Sequence, residues 1–204
     1  MKTISIIGAG SHTRSSINLL KQKFTKSSFL IYDDSFDIHN EEFIHNIKLV
    51  GKIKDIKTTS LVFLSLGDNK QRASSFQGFN TQLIKENIFH KSAVVEDYIQ
   101  LGNANQIFAN VYINSYATIG DNNIINTSAI LEHEVIIGSH NHVSVNAKLC
   151  GRVKIGNNCM IGAGAVIIDK ISICDNVTIG AGAVVSEDIT SSGTYVGVPA
   201  RKIK

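Results

Sequence analysis

The chain has 204 residues, of which 18% are charged, and its formal net charge at pH 7 is +3. Its lysines and arginines are scattered, and no basic block alternates with aromatic residues, which argues against nucleic acid as a partner. No apolar run approaches the roughly 20 residues that a membrane-spanning helix needs, so we expect no membrane partner. Three cysteines, none in a Cys-x-x-Cys spacing, are typical of reduced thiols and indicate a cytoplasmic protein.

The first ninety residues mix strand and helix signals. Short apolar runs in TISIIGAGSH, SFLIYDD and TSLVFLSLGDN predict strands, and the segments RSSINLLKQKF, KQRASSF and NTQLIKENI predict helices. Strands that alternate with helices predict a small parallel sheet, whose ligand edge lies at the carboxyl ends of its strands. We place residues 8–12, Asp33, Asp34 and residues 67–69 on that edge.

The glycine turn after the first strand predicts a phosphate site. The backbone N–H groups of GAGSH can cradle phosphates where a helix begins. A dinucleotide fingerprint, Gly-x-Gly-x-x-Gly, needs glycine at the position that Thr13 occupies, which argues against NAD. The pair Asp33 and Asp34 can accept hydrogen bonds from a nucleotide; the alternative is two acids that cap the end of a strand.

From about residue 93 the chain follows a six-residue period. Such a period fits neither an α-helix nor a hairpin sheet, and it predicts a parallel β-helix in which three hexapeptides make one triangular coil. The recurring aliphatic residue fills the interior, and we expect glycine or asparagine at the corners, where φ is positive. The aliphatic positions are Val95, Leu101, Ile107, Ile113, Ile119, Ile125, Leu131, Ile137, Val143, Leu149, Ile155, Ile161, Ile167, Ile173, Ile179 and Val185.

The stretch AILEHEVIIGSHNHVS, residues 129–144, sets three histidines and two glutamates among aliphatic residues. His133 follows the inward Leu131 by two residues, so we expect it beside a corner, pointing outward. A histidine with a carboxylate neighbour can act as a general base, because the carboxylate fixes its tautomer. The spacing does not choose between Glu132 and Glu134 as that neighbour, and a structural histidine is the alternative.

The pair His140 and His142 raises the question of zinc, since three nearby histidines can hold a catalytic ion. We expect no metal, because His133 has another role and a zinc site would leave the glycine turn without one. His140 is interpreted as an exposed turn residue. Cys150 and Cys159 are interpreted as packing residues, because nothing in their spacing activates them.

The repeat resembles that of the hexapeptide-repeat acyltransferases, whose β-helices wind left-handed and associate as trimers. The whole chain resembles the bacterial sugar-nucleotide N-acetyltransferases of the PglD/NeuD type. The resemblance rests on IIGAGSH, YDD, LSLGDN, HKSAVV, ILEHEVIIGSHNHVSVNAKLCG and YVGVPARKI. It implies an α/β, Rossmann-like nucleotide-sugar-binding domain over residues 1–90. It also implies a left-handed parallel β-helix, the acetyltransferase domain with a C-terminal tail, over residues 91–204.

The resemblance also implies roles for individual residues. His133 would be the general base and Glu134 its helper in direct attack of a sugar amine on acetyl-CoA. Acetyl-CoA would contact His142, Gly151, Ala163 and Ala181, with the Gly151 N–H as a candidate oxyanion donor. The sugar nucleotide would contact Gly10, Ser11, His12, Asp33, Asp34 and Gly67. Ser11 and Thr13 depart from the family, which has glycines there.

The expected function is therefore N-acetylation of a nucleotide-linked amino-deoxysugar for bacterial surface glycans, by a homotrimer without a metal. A UDP-linked 4-amino sugar is the implied substrate, and a GDP-linked amino sugar is the alternative. Two other classes stay open. One is a non-catalytic scaffold that binds nucleotide sugars, which the pair His133 and Glu134 argues against. The other is an NAD-linked enzyme, which Thr13 argues against.

Overall fold

The structure is a computed structural model that describes residues 2–204. It divides into two compact units, one that ends at Lys85 and one that runs from Glu86 to Lys204. Within the described residues, no helix is long and apolar enough to cross a membrane.

The first unit is built around a five-stranded sheet in the order β3-β4-β2-β1-β5. Strands β4, β2, β1 and β5 run parallel, and β3 pairs antiparallel with β4 at the edge. The central strand β1 is buried on both faces from Ile4 to Ile7, which explains why all of these residues except Ser5 are apolar. The elements are β1 (Thr3–Ile7), α1 (Ser11–Lys23), β2 (Ser28–Tyr32), β3 (Phe43–Ile44), β4 (Ile47–Gly51), a 3-10 helix (Ile53–Asp55), β5 (Leu61–Leu64) and α2 (Asn69–Gly78).

Two features of this unit differ from the sequence prediction. Strands β3 and β4 were not predicted, and the helix predicted in NTQLIKENI is wrong. Leu83 instead forms a parallel bridge with Val62, and the Ile84 N–H donates to the Val62 carbonyl at 2.9 Å. Because the neighbours Leu83 and Ile84 are both buried against the sheet, their pattern imitates the apolar face of a helix.

The second unit is a β-helix with three parallel flat sides, to which the last short strand adds an antiparallel pair. Sheet I holds β7, β10, β13, β16, β19 and β22; sheet II holds β8, β11, β14, β17 and β20; sheet III holds β6, β9, β12, β15, β18, β21, β23 and β24. Successive coils pair 18 residues apart, as Tyr112 does with Ile130, so the predicted hexapeptide coil is confirmed. The left-handed winding stays a prediction.

The strands of the β-helix are short and evenly spaced. They are β6 (Ile88–Phe89), β7 (Val94–Val95), β8 (Gln100–Leu101), β9 (Gln106–Ile107), β10 (Tyr112–Ile113), β11 (Thr118–Ile119), β12 (Ile124–Ile125), β13 (Ile130–Leu131), β14 (Ile136–Ile137), β15 (His142–Val143), β16 (Lys148–Leu149), β17 (Lys154–Ile155), β18 (Met160–Ile161), β19 (Val166–Ile167), β20 (Ser172–Ile173), β21 (Val177–Ile179), β22 (Val184–Val185), β23 (Gly193–Val196) and β24 (Arg201–Lys202). From Ile107 to Val185 the predicted inward aliphatic residues are buried. The prediction is wrong for Val95, which is exposed, and for Leu101, which is half-buried, because β7 and β8 are the edge strands of their sheets.

Asparagine or glycine with positive φ was predicted at the corners. This prediction is wrong for the corner between sheets I and II and is confirmed at most positions of the other two: Asn110, Asn122, Asn146, Asn158, Gly164, Asn176 and Gly182. Corner 1, between sheets I and II, is formed by residues with φ between 60° and 66°: Tyr98, Tyr116, Glu134, Arg152 and Lys170. Corner 2 joins sheets II and III, and corner 3 joins sheets III and I. The glycines after the inward aliphatic residues serve close approach instead. A Cβ on Gly138 would lie 2.7 Å from the Gly156 carbonyl oxygen of the next coil.

A ladder of buried asparagines stabilises corner 2 from inside the coil. The Asn105 Oδ1 accepts from the Asn123 N–H at 2.8 Å, and the Asn123 Oδ1 accepts from the Asn141 N–H at the same distance. The Asn123 and Asn141 side-chain amides donate to the carbonyls of Gly138 and Gly156. These side chains hold successive coils in register, because each satisfies buried backbone groups of two coils.

Candidate active site

His133 lies at corner 1, between strands β13 and β14, and the backbone around it is fixed from both sides. The Glu134 N–H donates to the Ser115 carbonyl of the preceding coil at 3.1 Å. The His133 carbonyl accepts from the Arg152 N–H of the following coil at 2.9 Å. Glu134 itself has φ 60°, which turns the chain and sends both side chains outward. The site is therefore carried by a rigid coil.

The two glutamates beside His133 have different partners. The His133 Nδ1 lies 3.1 Å from the Glu134 Oε2. Glu132 instead accepts a hydrogen bond from the Asn114 side-chain amide at 2.7 Å. A carboxylate partner on Nδ1 favours the tautomer with the proton on Nδ1, which leaves the Nε2 lone pair available. The geometry therefore joins His133 to Glu134, a choice that spacing alone left open.

Gly151 lies one coil below His133 and is the reason that the imidazole can rest against the backbone. A Cβ at Gly151 would come within 2.6 Å of both Cε1 and Nε2 of His133, and 3.0 Å from the Asp169 Oδ1. Among residues 2–204 the Gly151 N–H has no hydrogen-bond acceptor, whereas the Gly151 carbonyl accepts from the Lys170 N–H at 2.9 Å. An available N–H thus lies beside the Nε2 edge of the ring.

The residues predicted to bind acetyl-CoA do not all meet in one chain. Gly151 is on corner 1, while Ala163 and Ala181 are stacked on corner 3, at the opposite edge of sheet I. His142 is in β15 on sheet III, only 8% exposed, with its Nε2 3.0 Å from the Asn126 side-chain amide nitrogen. Within one chain, His142, Ala163 and Ala181 therefore lie on other sides of the β-helix than His133.

The alternative chemistries receive little support from the geometry. No group of three or more histidine, cysteine or acidic side chains within residues 2–204 is arranged to hold a metal ion. His140 is half-buried rather than exposed, with φ 63°, and its Nδ1 lies 2.9 Å from the Asn122 side-chain amide. Burial raises the pKa of Cys159 to about 11, and it also raises the pKa of Cys150. Both thiols are poor nucleophiles at neutral pH.

The glycine turn of the first unit is shaped by two close contacts. Gly8 has φ +111°, and a Cβ there would lie 2.7 Å from the Ser65 carbonyl oxygen. Thr13 is buried, and its hydroxyl donates to the Gly8 carbonyl at 2.8 Å. The departure from the dinucleotide fingerprint therefore has a structural reason, because Thr13 ties the helix to the turn. Gly10 is the N-cap of α1 and Ser11 is exposed there, beside the half-buried His12.

Asp33 and Asp34 follow β2 but have different surroundings. The Asp33 carboxylate accepts from the Ala9 N–H at 2.8 Å and from both the N–H and hydroxyl of Ser35. Burial raises the pKa of Asp33, but these hydrogen bonds outweigh it and hold the pKa below its usual value. Asp34 is exposed, and its Oδ1 accepts only a long hydrogen bond, 3.3 Å, from the Ile53 N–H. Asp33 thus organises the glycine turn, and Asp34 faces outward.

Helix α2 contributes residues that sequence reasoning missed. A cavity of about 370 Å³ is lined by Asp33, Asp34, Ile53, Leu66, Gln71, Ser74 and Ser75. Behind it lies Arg72, fully buried, whose guanidinium donates to the Leu66 and Gly67 carbonyls at 3.1 and 3.3 Å. Burial lowers the pKa of Arg72 to about 10, so it stays charged at neutral pH. Gly67, a predicted site residue, is therefore positioned by an arginine from within the fold.

A second cavity, of about 600 Å³, adjoins Glu134 on corner 1 and sheet II. It is lined by Tyr116, Thr118, Glu134, Ile136, Arg152, Lys154, Lys170 and Ser172. The Arg152 Nη2 donates to both carboxylate oxygens of Asp169 at 3.1 Å, and the Lys170 Nζ lies 3.7 Å from the Asp169 Oδ2. These cations were not predicted as site residues, because Arg152 and Lys170 are 18 residues apart and form no local motif.

Comparisons with known proteins agree with this architecture. The family model of the bacterial transferase hexapeptide (six repeats) matches residues 134–169 and 152–187. No curated protein matches the sequence. A mutant of GDP-perosamine N-acetyl transferase from Caulobacter crescentus, in complex with CoA and GDP-perosamine, has a TM-score of 0.89 at 28% identity, over 100% of this chain and 98% of that one.

Two further solved structures share the fold at lower identity. The acetyltransferase domain of PglB from Neisseria gonorrhoeae FA1090 has a TM-score of 0.91 at 23% identity, over 100% of both chains. WeeI from Acinetobacter baumannii AYE has a TM-score of 0.66 at 17% identity, also over 100% of both chains. The hexapeptide family match and the structure at 28% identity confirm the resemblance to hexapeptide-repeat sugar acetyltransferases that the sequence predicted.

Proposed function

Since the chain carries the bacterial transferase hexapeptide repeat and the full-length fold of a sugar N-acetyltransferase, we propose that it moves acetyl from acetyl-CoA to an amine. The acceptor is the amine of a nucleotide-linked amino-deoxysugar, and the product is the corresponding acetamido sugar and free CoA. The observation that carries this proposal is the contact of His133 with Glu134 directly above the glycine at position 151. The full-length likeness to an enzyme that is bound to CoA and GDP-perosamine supports the choice of substrates.

His133 acts as the general base in this proposal. The neutral amine attacks the thioester carbonyl, and the His133 Nε2 takes the proton that the nitrogen loses as the new N–C bond forms. Glu134 holds the proton on Nδ1 and stabilises the imidazolium that results. The tetrahedral intermediate then collapses, the C–S bond breaks, and the imidazolium returns the proton to the CoA thiolate. No acyl-enzyme is needed.

Gly151 supplies the oxyanion donor. The negative charge that develops on the thioester oxygen needs a fixed hydrogen-bond donor close to the reacting carbon. The Gly151 N–H lacks an acceptor within the described residues, and the absence of a side chain leaves room beside the imidazole. These two properties support an oxyanion site at corner 1.

We propose that the first unit is a Rossmann-like domain that binds the sugar nucleotide. Its parallel strands end at a common edge, where Gly10, Ser11 and His12 begin α1 and Asp33 holds the turn. The backbone N–H groups at a helix N-terminus, together with the helix dipole, favour a negatively charged diphosphate there. Gly67 and Asp34 follow β5 and β2 on the same edge.

A homotrimer would complete the acetyl-CoA site. His133 and Gly151 are at one edge of sheet I, and Ala163 and Ala181 are at the other, so one thioester cannot contact both edges of the same chain. Corner 3 of a second copy would supply the missing wall. Exposed apolar side chains at both edges support such packing. Val145 lies at corner 3, one coil before Ala163, and Ile168 lies at corner 1, one coil after Cys150. Closed rotational symmetry is the usual way to repeat such a contact.

The test is a thiol-release assay with acetyl-CoA and a panel of UDP- and GDP-linked amino sugars. We expect one CoA thiol for each acetylated sugar, with the product confirmed by mass. Sedimentation of the active enzyme should give a trimer, and an active monomer would overturn the assembly. A chain that binds nucleotide sugars but releases no thiol with any of them would be the non-catalytic scaffold instead. We place the reaction in the cytoplasm, on the ground of the free cysteines.

A further inference from the structure

The cavity beside α2 has the right lining for a nucleobase. It occupies about 370 Å³ at the carboxyl ends of β2 and β5. Ile53 and Leu66 supply apolar contact for the faces of a ring, while carboxylate, amide and hydroxyl groups can bond its edge. Such a mixture of apolar walls and few polar groups is typical of small-ligand sites.

The polar groups of this cavity are not equally available. Asp33 already accepts three hydrogen bonds within the chain, two on Oδ1 and one on Oδ2. Asp34 accepts one long hydrogen bond on Oδ1, and among residues 2–204 its Oδ2 has no donor. The exposed Gln71 side-chain amide likewise has no partner there, because only its backbone N–H is bonded, to Asp68. Asp34 and Gln71, together with the hydroxyls of Ser74 and Ser75, are therefore the groups that can recognise a base.

The chemistry of Asp34 discriminates among bases. An ionised carboxylate has two oxygens that accept hydrogen bonds and no donor. Uracil presents a single N–H between two carbonyl oxygens, so a carboxylate facing it would meet acceptors on both sides. Guanine presents two adjacent donors, N1–H and the 2-amino group, which match a bidentate carboxylate. Next to them lies the guanine O6, an acceptor for the NH₂ of an amide such as Gln71.

We propose that Asp34 recognises guanine through N1–H and the 2-amino group, that Gln71 donates to O6, and that the substrate is therefore a GDP-linked amino sugar. The inference rests on the proposed function and deepens it. It replaces the UDP sugar expected from the sequence with its alternative. Asp33 is assigned the positioning of the glycine turn.

The test is a titration of GDP, inosine diphosphate and UDP into wild-type protein and three variants by calorimetry. Inosine diphosphate keeps N1–H and O6 but lacks the 2-amino group, so it isolates one of the two hydrogen bonds to Asp34. Asp34→Asn keeps the shape but replaces one acceptor by a donor. Gln71→Ala removes the contact to O6. Asp37→Asn is the matched control, since Asp37 accepts from the His39 N–H and lines a different cavity.

We expect the wild type to bind GDP about 10-fold or more tightly than UDP, and inosine diphosphate several-fold, roughly 5-fold, more weakly than GDP. Asp34→Asn should weaken the binding of GDP by about 10-fold and abolish the difference in affinity between GDP and inosine diphosphate. Gln71 lies on the exposed side of α2. Gln71→Ala should lower the affinities for GDP and inosine diphosphate equally and leave the ratio of the two affinities unchanged. Asp37→Asn should match the wild type.

The outcomes separate this inference from the function beneath it. If UDP binds at least as tightly as GDP and Asp34→Asn leaves the ratio of GDP to inosine diphosphate unchanged, the guanine assignment is overturned. Thiol release with UDP-linked amino sugars would in that case leave the acetyltransferase intact. If none of the three nucleotides binds and no nucleotide sugar releases thiol, both are overturned together.

Discussion

Gly151→Ala tests whether the imidazole of His133 must lie where the structure has it. The new Cβ would come within 2.6 Å of both Cε1 and Nε2 of the ring. Carbon atoms pack at about 3.5–4.0 Å, so the ring must retreat by roughly 1 Å. A displacement of that size at a reacting group can lower the rate by about 100-fold. The Gly151 N–H is kept in the variant, so the loss would come from the base and not from the oxyanion donor.

The assay is steady-state thiol release at saturating acetyl-CoA and sugar nucleotide. We expect kcat to fall by about 100-fold, while the melting temperature changes little because the ring is at the surface. The matched control is Gly78→Ala, since a Cβ at Gly78 would meet no atom within 4 Å. This control should keep the wild-type kcat. If Gly151→Ala stays within twofold of the wild type, the position of the ring does not limit the reaction and the assignment of His133 is refuted.

Four further variants test other parts of the site and fold. Glu134→Gln should lower kcat by about 10-fold, less than His133→Ala, because the base remains but loses its charged partner; the same assay measures it, and a loss equal to that of His133→Ala would contradict a helper role. Asp33→Ala should raise KM for the sugar nucleotide and leave KM for acetyl-CoA unchanged, since it frees the glycine turn. Hydrogen bonds hold the pKa of Asp33 below its usual value of 3.8 in spite of burial, so its stabilisation is complete above about pH 4 and fades as pH falls through the folded-state pKa. Asp33→Asn should therefore weaken the pH dependence of the melting temperature below about pH 4. If the melting temperature of the variant falls with pH as steeply as that of the wild type, the hydrogen bonds to Asp33 do not stabilise the fold. Asn123→Ala should cost about 1–3 kcal/mol in urea unfolding, because buried groups such as the Gly138 carbonyl lose their donor.

The β-helix could be predicted because its signal is strict and local. Each inward aliphatic residue recurs six positions later, and the register of Leu131 alone places His133 beside a corner. Asparagine or glycine was correctly predicted at most positions of corners 2 and 3, but the other corner residues could not be predicted. Tyr116, Glu134 and His140 all have positive φ, which costs of order 1 kcal/mol for a residue with a side chain. At Glu134 and His140, backbone hydrogen bonds to Ser115 and Asp121 of the preceding coil fix this conformation and do not depend on the side chain.

The nucleotide edge was only partly predictable for a different reason. Asp33 and Asp34 were identified because they directly follow a strand, but their separate roles depend on the Ala9 N–H, which lies 24 residues away. Gln71 was missed, because its orientation depends on helix α2. That helix is fixed by the buried Arg72, which bonds carbonyls beyond the end of β5. Such contacts between distant segments leave no periodic trace in the sequence.

The most direct test of the central claim is the turnover number of His133→Ala with acetyl-CoA and the preferred nucleotide amino sugar. We expect kcat to fall by about 100-fold or more, the usual contribution of a general base, and acetyl-CoA binding to stay unchanged in a parallel titration. If His133→Ala keeps most of its turnover at neutral pH, the proton is removed elsewhere and corner 1 is not the catalytic centre.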